Sequence, residues 1–205
     1  VTYSRIDREL VYVSPSSRKI ISTESLVHNA SVGSRGVDLK GQQVDFFSDK
    51  RGETYFMEDY ESLENITTGN SVAQWVSEDY HPIETSTSPN SGWDSAAVSA
   101  LSNVEISLRY FKEVHNRSSF DNKGKKASSI VNMYGLVTQN QKTINLAPNA
   151  GYSLSTDQMF YGTGGEAYKN FALALDVAGH ELTHGVIHHS SGLVYKNQSG
   201  ALNES

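Results

Sequence analysis

Cysteine is absent from the 205-residue chain, which excludes a disulfide framework and any thiolate site. Long apolar runs are missing too: nothing approaches the ~20 residues that a membrane-spanning helix needs. No surplus of positive charge marks a nucleic-acid surface. Lys and Arg number 17 against 23 Asp and Glu, the net charge is −6, and the charges are dispersed. No stretch has the pattern of a signal peptide, and any such leader is expected to have been removed ahead of Val1. What remains is 37% hydrophobic and 10% aromatic, the composition of an ordinary globular protein, polar and rich in Ser and Asn. Its length permits a substantial core in one or two domains.

Against that plain background one stretch stands out, Asp176 to His189, containing His180-Glu181-Leu182-Thr183-His184. Two histidines four apart on a helix lie on one face, a turn apart, so both imidazoles can meet one tetrahedral cation. Glu181 can then reach a water on that cation as general base without ligating it. Apolar residues from Phe171 to Ile187 recur almost all round, which predicts a buried helix over 171–187, capped by Asn170 and stopped by Gly192. Gly179 interrupts it at a cost of about 1 kcal/mol against Ala. Ser199 is expected to cap a second helix that aims Glu204 back at the metal as third ligand, leaving a fourth position open. His188, four after His184, is a second candidate for that third place. The motif by itself leaves one alternative, a core helix with two packed histidines and a chance Glu.

Elsewhere the patterns are those of strands, turns and one more helix. Glu9–Val13 and Arg18–Ser22, around Ser14–Ser17, predict a hairpin. Short strands are expected at Val44–Phe47, Thr54–Met57, Ser129–Tyr134 and Gln158–Tyr161. Residues 60–92 predict long loops and short strands, with Trp75 as core candidate and His28 and His81 as loop or surface residues. Asp94 to Val114 is helical, with Val98, Leu101, Val104, Ile106, Leu108, Phe111 and Val114 as its periodic set and His115 at its C-terminal end. The Asn-x-Ser/Thr triplets at Asn29, Asn65, Asn116, Asn197 and Asn203 read as chance in a Ser/Asn-rich chain.

The segments His180-Glu181-Leu182-Thr183-His184-Gly185-Val186 and Gly192 through Ser205 resemble the active-site region of the thermolysin family of zinc endopeptidases. Glu204 falls twenty-four residues after His180, the spacing of that family's third ligand. The resemblance implies an α+β fold: a β-rich N-terminal lobe with a long helix and a central zinc-site helix, residues 31–205, whose C-terminal helical lobe lies beyond Ser205. The early hairpin followed by Val27-His28-Asn29-Ala30 is similar to the end of that family's propeptide, which implies a propeptide tail over 1–30; the alternative is an ordinary N-terminal hairpin of the mature domain. His180, His184 and Glu204 would hold Zn2+, Glu181 would be the base, and Tyr195 would donate to the oxyanion. Asp176 would be a ligand of Ca2+, held tightly only where further carboxylates join it. Asn149 and Ala150 would bind substrate backbone on an edge strand, and Phe171 and Val177 would wall the pocket for a bulky apolar residue. Where the family has acidic residues, this chain has Tyr161-Gly162-Thr163-Gly164-Gly165-Glu166, which changes the charge near the cleft mouth. The implied protein is a secreted metalloendopeptidase acting on peptides or proteins, with neither nucleic acid nor membrane as partner, completed by a C-terminal segment that supplies part of its catalytic apparatus. The alternative is a non-catalytic module that binds zinc or docks that segment.

Overall fold

The computed structural model describes residues 9–13, 20–25, 31–59, 66–70, 83–139 and 142–204. The first described strands, β1 (Glu9–Val13) and β2 (Ile20–Ser25), pair antiparallel, as their β-branched runs predict. Then come β3 (Ser31–Val37), β4 (Gln43–Arg51), β5 (Thr54–Phe56), β6 (Glu58–Asp59), β7 (Ile66–Asn70) and β8 (Thr85–Ser86). The long helix α1 (Ser95–His115) is followed by β9 (Ala127–Met133), β10 (Leu136–Gln139), β11 (Lys142–Asn145), β12 (Ala150–Ser153) and β13 (Gln158–Gly162). A single 3-10 turn, Phe171–Leu173, leads into α2 (Leu175–His188) and α3 (Asn197–Asn203). Trp75, His28 and His81 lie outside the described residues.

The strands form two main sheets, giving the α+β architecture. One is antiparallel in the order β3-β4-β5-β8; the other is mixed, β12-β13-β9-β7-β6, with β7 and β13 both parallel to the central β9. Burial on both faces of β9 leaves Ala127, Ser129, Ile130, Val131 and Met133 all buried, so buried positions do not simply alternate along it. Ala127 and Val131 join the main core, while Ile130 packs with Met133, Leu146 and Phe160 in a second cluster. A buried ionic group ties the sheets together: Arg51 lies 2.7 Å from Asp49 and pairs with Glu58, whose carboxylate also meets Lys126 at 2.5 Å.

Helix α1 starts where Asp94 caps it, Oδ1 accepting from the amides of Ala96 and Ala97 at 2.9 and 3.0 Å. Its stripe of Val98, Leu101, Val104 and Leu108 is at most 1% exposed, and each such side chain contributes roughly 1.5–3 kcal/mol of transfer energy. Ile106 and Val114, which the periodicity placed in the same set, are 46% and 60% exposed. Ile106 is two residues, about 200°, away from Leu108 and so points to the other side of the helix. The buried face of α1 packs on α2, on the 3-10 turn and on β7 and β9. No helix among the described residues is long and apolar enough to cross a membrane.

Candidate metal centre

The zinc-motif helix is shorter than its apolar pattern predicts. Asn170 does act as a cap, accepting from the Ala172 amide at 3.0 Å, but it caps the 3-10 turn. The backbone becomes extended at Ala174 (φ −101°, ψ 119°) before α2 begins without a side-chain cap. At the other end the Gly192 amide donates to the Ile187 carbonyl at 2.8 Å, closing the turn after the helix. Ala178 and Leu182, fully buried, fix the inner face of α2 against the core. That leaves His180 exposed and His184 half-buried on the outer side.

On that side three ligand atoms converge. Nε2 of His180 lies 3.1 Å from Nε2 of His184 and 3.1 Å from Oε2 of Glu204; His184 Nε2 and Glu204 Oε2 are 4.0 Å apart. An ion held at 2.0–2.1 Å by three tetrahedral ligands requires edges of about 3.3 Å. Two edges are already near that length and the third needs a small swing of an exposed glutamate. Two imidazoles and a carboxylate, with solvent access on the outer side, are the donor set of a catalytic zinc site. The residues fit the ion.

The groups around the triad orient it. Asn203 donates from Nδ2 to the Leu193 carbonyl at 2.9 Å, which turns its Oδ1 toward Nδ1 of His184 at 2.6 Å. His184 must therefore carry its proton on Nδ1, leaving the Nε2 lone pair to face the triad. Sequence reasoning had seen Asn203 only within a chance triplet; its place one residue before Glu204 was the available signal. Tyr195 donates its hydroxyl to Oε1 of Glu204, a bond that raises the phenol and, more than any other cause, holds the Glu204 carboxyl below its ordinary value. Ser199 caps no helix: α3 starts after Lys196 without a side-chain cap, and the Ser199 hydroxyl donates to the Val194 carbonyl at 2.7 Å.

Glu181 is directed inward. Its side chain is 9% exposed and its Oε2 lies 4.0 Å from Nε2 of His184. Burial, with the Glu204 charge second, pushes its carboxyl up to about 7. A dication in the triad would draw it back down.

The other expected residues are spread along the neighbouring elements. Ala150 opens β12, which among the described residues pairs only with β13 and so lies at the edge of the five-stranded sheet, and Asn149 immediately precedes it. Phe171 and Val177 are half-buried against the main core, Phe171 also facing Tyr168 with ring centroids 6.1 Å apart. Asp176 is exposed in the first turn of α2, apart from both groups of metal-ligating side chains found among the described residues. His188 does not compete with Glu204; it sits at the far end of α2 beside His189 and Asp157.

Comparison with known proteins gives this geometry a family. A family model described as thermolysin metallopeptidase, catalytic domain, matches residues 34–188, which include His180, Glu181 and His184. Bacillolysin from Brevibacillus brevis is 32% identical over 203 residues, covering 97% of this chain and 34% of that protein. Protease PrtS from Photorhabdus sp. (strain Az29) is 41% identical over 118 residues, 57% of this chain and 28% of that protein. Among solved structures, the precursor of protealysin, a metalloproteinase from Serratia proteamaculans, superposes with a TM-score of 0.53 at 24% identity, over 77% of this chain and 42% of that one, a likeness of fold. The chain spans about a third of the length of the bacillolysin it matches along nearly its whole extent. It belongs to the thermolysin metallopeptidase family.

Proposed function

We propose that the chain carries the zinc site of a secreted endopeptidase, with His180, His184 and Glu204 as metal ligands and Glu181 as general base. The observation that carries this reading is the triad itself, three donors at near-tetrahedral spacing with a buried carboxylate beside them. Zinc bound there would supply Lewis acidity, polarising the scissile carbonyl and acidifying the attacking water. Glu181 receives the proton of that water on its carboxylate and passes it to the leaving amine nitrogen. Asn203 keeps the His184 ring in the tautomer that ligates. Tyr195, whose hydroxyl rests on Glu204, turns to donate to the oxygen that gains charge. The edge position of β12 supports backbone pairing of an extended peptide beside Asn149 and Ala150. The preference is for cleavage before a bulky apolar residue.

The test is hydrolysis of an unstructured protein by the metal-stripped chain, with and without added zinc. Activity that appears with zinc and vanishes with a chelator is expected; turnover indifferent to both would overturn the proposal. A second reading has its own support. Val194, Tyr195 and Leu202 are 69%, 62% and 60% exposed around α3, a surface suited to a further segment of polypeptide. Under that reading the 205 residues bind zinc without turnover until that segment joins them. Zinc uptake with no hydrolysis would favour it, and calcium at Asp176 would then depend on the added segment.

A further inference from the structure

We propose that Asp157, His188 and His189 form a second metal site, separate from the His180–His184–Glu204 triad, for a divalent transition ion of the zinc class. One ligand atom from each of the three lies within 4.8 Å of the other two. Nε2 of His189 is 3.1 Å from Oδ1 of Asp157, close to the ~3.3 Å edge of a tetrahedral zinc site. The ring of His188 stands 4.9 Å from that of His189, centroid to centroid, nearly perpendicular to it. Being exposed, it can close the third edge by rotation alone.

The surroundings are those of a supported ligand set rather than of loose surface side chains. Oδ1 of Asp157 accepts from the Tyr152 hydroxyl at 2.8 Å, while Oδ2 pairs with Lys125. A carboxylate oxygen has a second lone pair, so Tyr152 and an ion can share Oδ1. Ligating carboxylates are commonly held in this way from behind. The His189 ring is set against the buried Phe120, centroids 5.4 Å apart. His188 is the last residue of α2 and His189 follows it as the cap, where the carbonyl ends of the helix favour a cation. Two imidazoles with one carboxylate suit zinc, nickel or copper and not calcium or magnesium, which take oxygen. The Lys125 ammonium opposes the ion, so this site binds more weakly than the triad.

Such an ion would tie the turn between β12 and β13 to the end of the helix that carries the triad. The inference concerns binding alone and does not rest on peptidase activity. Equilibrium dialysis against zinc reads it directly. The His180→Ala/His184→Ala variant should still take up one equivalent, unaffected by millimolar calcium, and adding His188→Gln/His189→Gln should abolish it. No uptake by the first variant, or uptake retained by the second, would overturn the site. His188→Gln in the otherwise unchanged chain guards against misfolding, because that side chain is exposed. It should weaken the lower-affinity zinc by about tenfold or more while circular dichroism stays constant, and unchanged affinity would count equally against the proposal.

Discussion

Glu181 and Glu204 approach the same imidazole nitrogen: Oε2 of each lies 4.0 Å from Nε2 of His184. Their environments differ sharply, with side chains 9% and 42% exposed. Burial lifts the carboxyl of Glu181 to about 7, whereas the Tyr195 hydroxyl holds that of Glu204 below its ordinary value. The proposed roles, a proton carrier at Glu181 and an anionic ligand at Glu204, match this separation of environments.

Substitution should separate the two roles. In the complete enzyme Glu181→Gln is expected to leave zinc content unchanged and to lower hydrolysis by roughly 10²–10⁴-fold, the range of a general base. Glu204→Gln should act in the other order, weakening zinc by about tenfold or more before any effect on the metal-saturated rate. Zinc titration beside peptide hydrolysis checks both, and a Glu181→Gln protein with ordinary turnover would sink the assignment.

Asn203 makes a subtler prediction. It touches no ligand atom of the triad, only Nδ1 on the far side of the His184 ring. Asn203→Ala should therefore lower zinc affinity about 10–100-fold by freeing the tautomer and ring angle. Competition against a chelator would read this, and an unchanged affinity would show that His184 orients itself without help.

The local features of this chain were legible and the long-range ones were not. Spacing alone paired His180 with His184, and the hairpin at Glu9–Val13, the helix α1 and β13 all follow from period and turn residues. The break at Ala174 was invisible because Phe171–Leu173 carries the same apolar pattern in a 3-10 turn as in an α-helix. Ile106 fell out of phase because a seven-member periodic set tolerates a residue two positions from its neighbour. The parallel pairing of β7 and β13 around β9 joins segments with no local mark of partnership. Asp157 meets His189 from 32 residues away in sequence, and no spacing rule connects them.

Arg35 and Asp45 offer a check on surface charge. They sit directly opposite in the β3–β4 register, with Nε 2.5 Å from Oδ1. The bond to Arg35 holds the Asp45 carboxyl below its ordinary value. A depressed carboxyl contributes stability that is present above its unfolded pKa, about 3.9, and is lost as pH falls through the folded one. Both groups are solvent-exposed, so the contribution is small and screened. The urea midpoint of Asp45→Asn should fall slightly below wild type at pH 6 in low salt. The two should converge below pH 3 or in about 1 M salt, where the Debye length is about 3 Å. A gap that survives high salt would mean the pair acts by something other than charge.

Two glycines near the site should respond differently to the same change. A Cβ on Gly185, on the zinc-motif helix, would lie 2.9 Å from the ring end of Tyr152. That ring is pinned by its bond to Asp157, so overpacking costs about 1–3 kcal/mol. Ala gains about 1 kcal/mol over Gly in a helix, and Gly185→Ala should lose only about 0–2 kcal/mol overall. A Cβ on Gly162 would lie 2.1, 2.2 and 2.7 Å from the carbonyl oxygens of Leu146, Ala147 and Asn149. These are backbone atoms, and the Gly162 amide donates to one of them, Asn149, at 2.8 Å. No side chain can swing aside, so the strand must move. Gly162→Ala should cost about 3 kcal/mol or more and should displace Asn149 at the start of the edge strand. Denaturant midpoints rank the two variants. A peptide KM raised in Gly162→Ala beyond any effect of Gly185→Ala would connect that displacement to substrate binding, and equal stability losses would refute the contrast between backbone and side-chain neighbours.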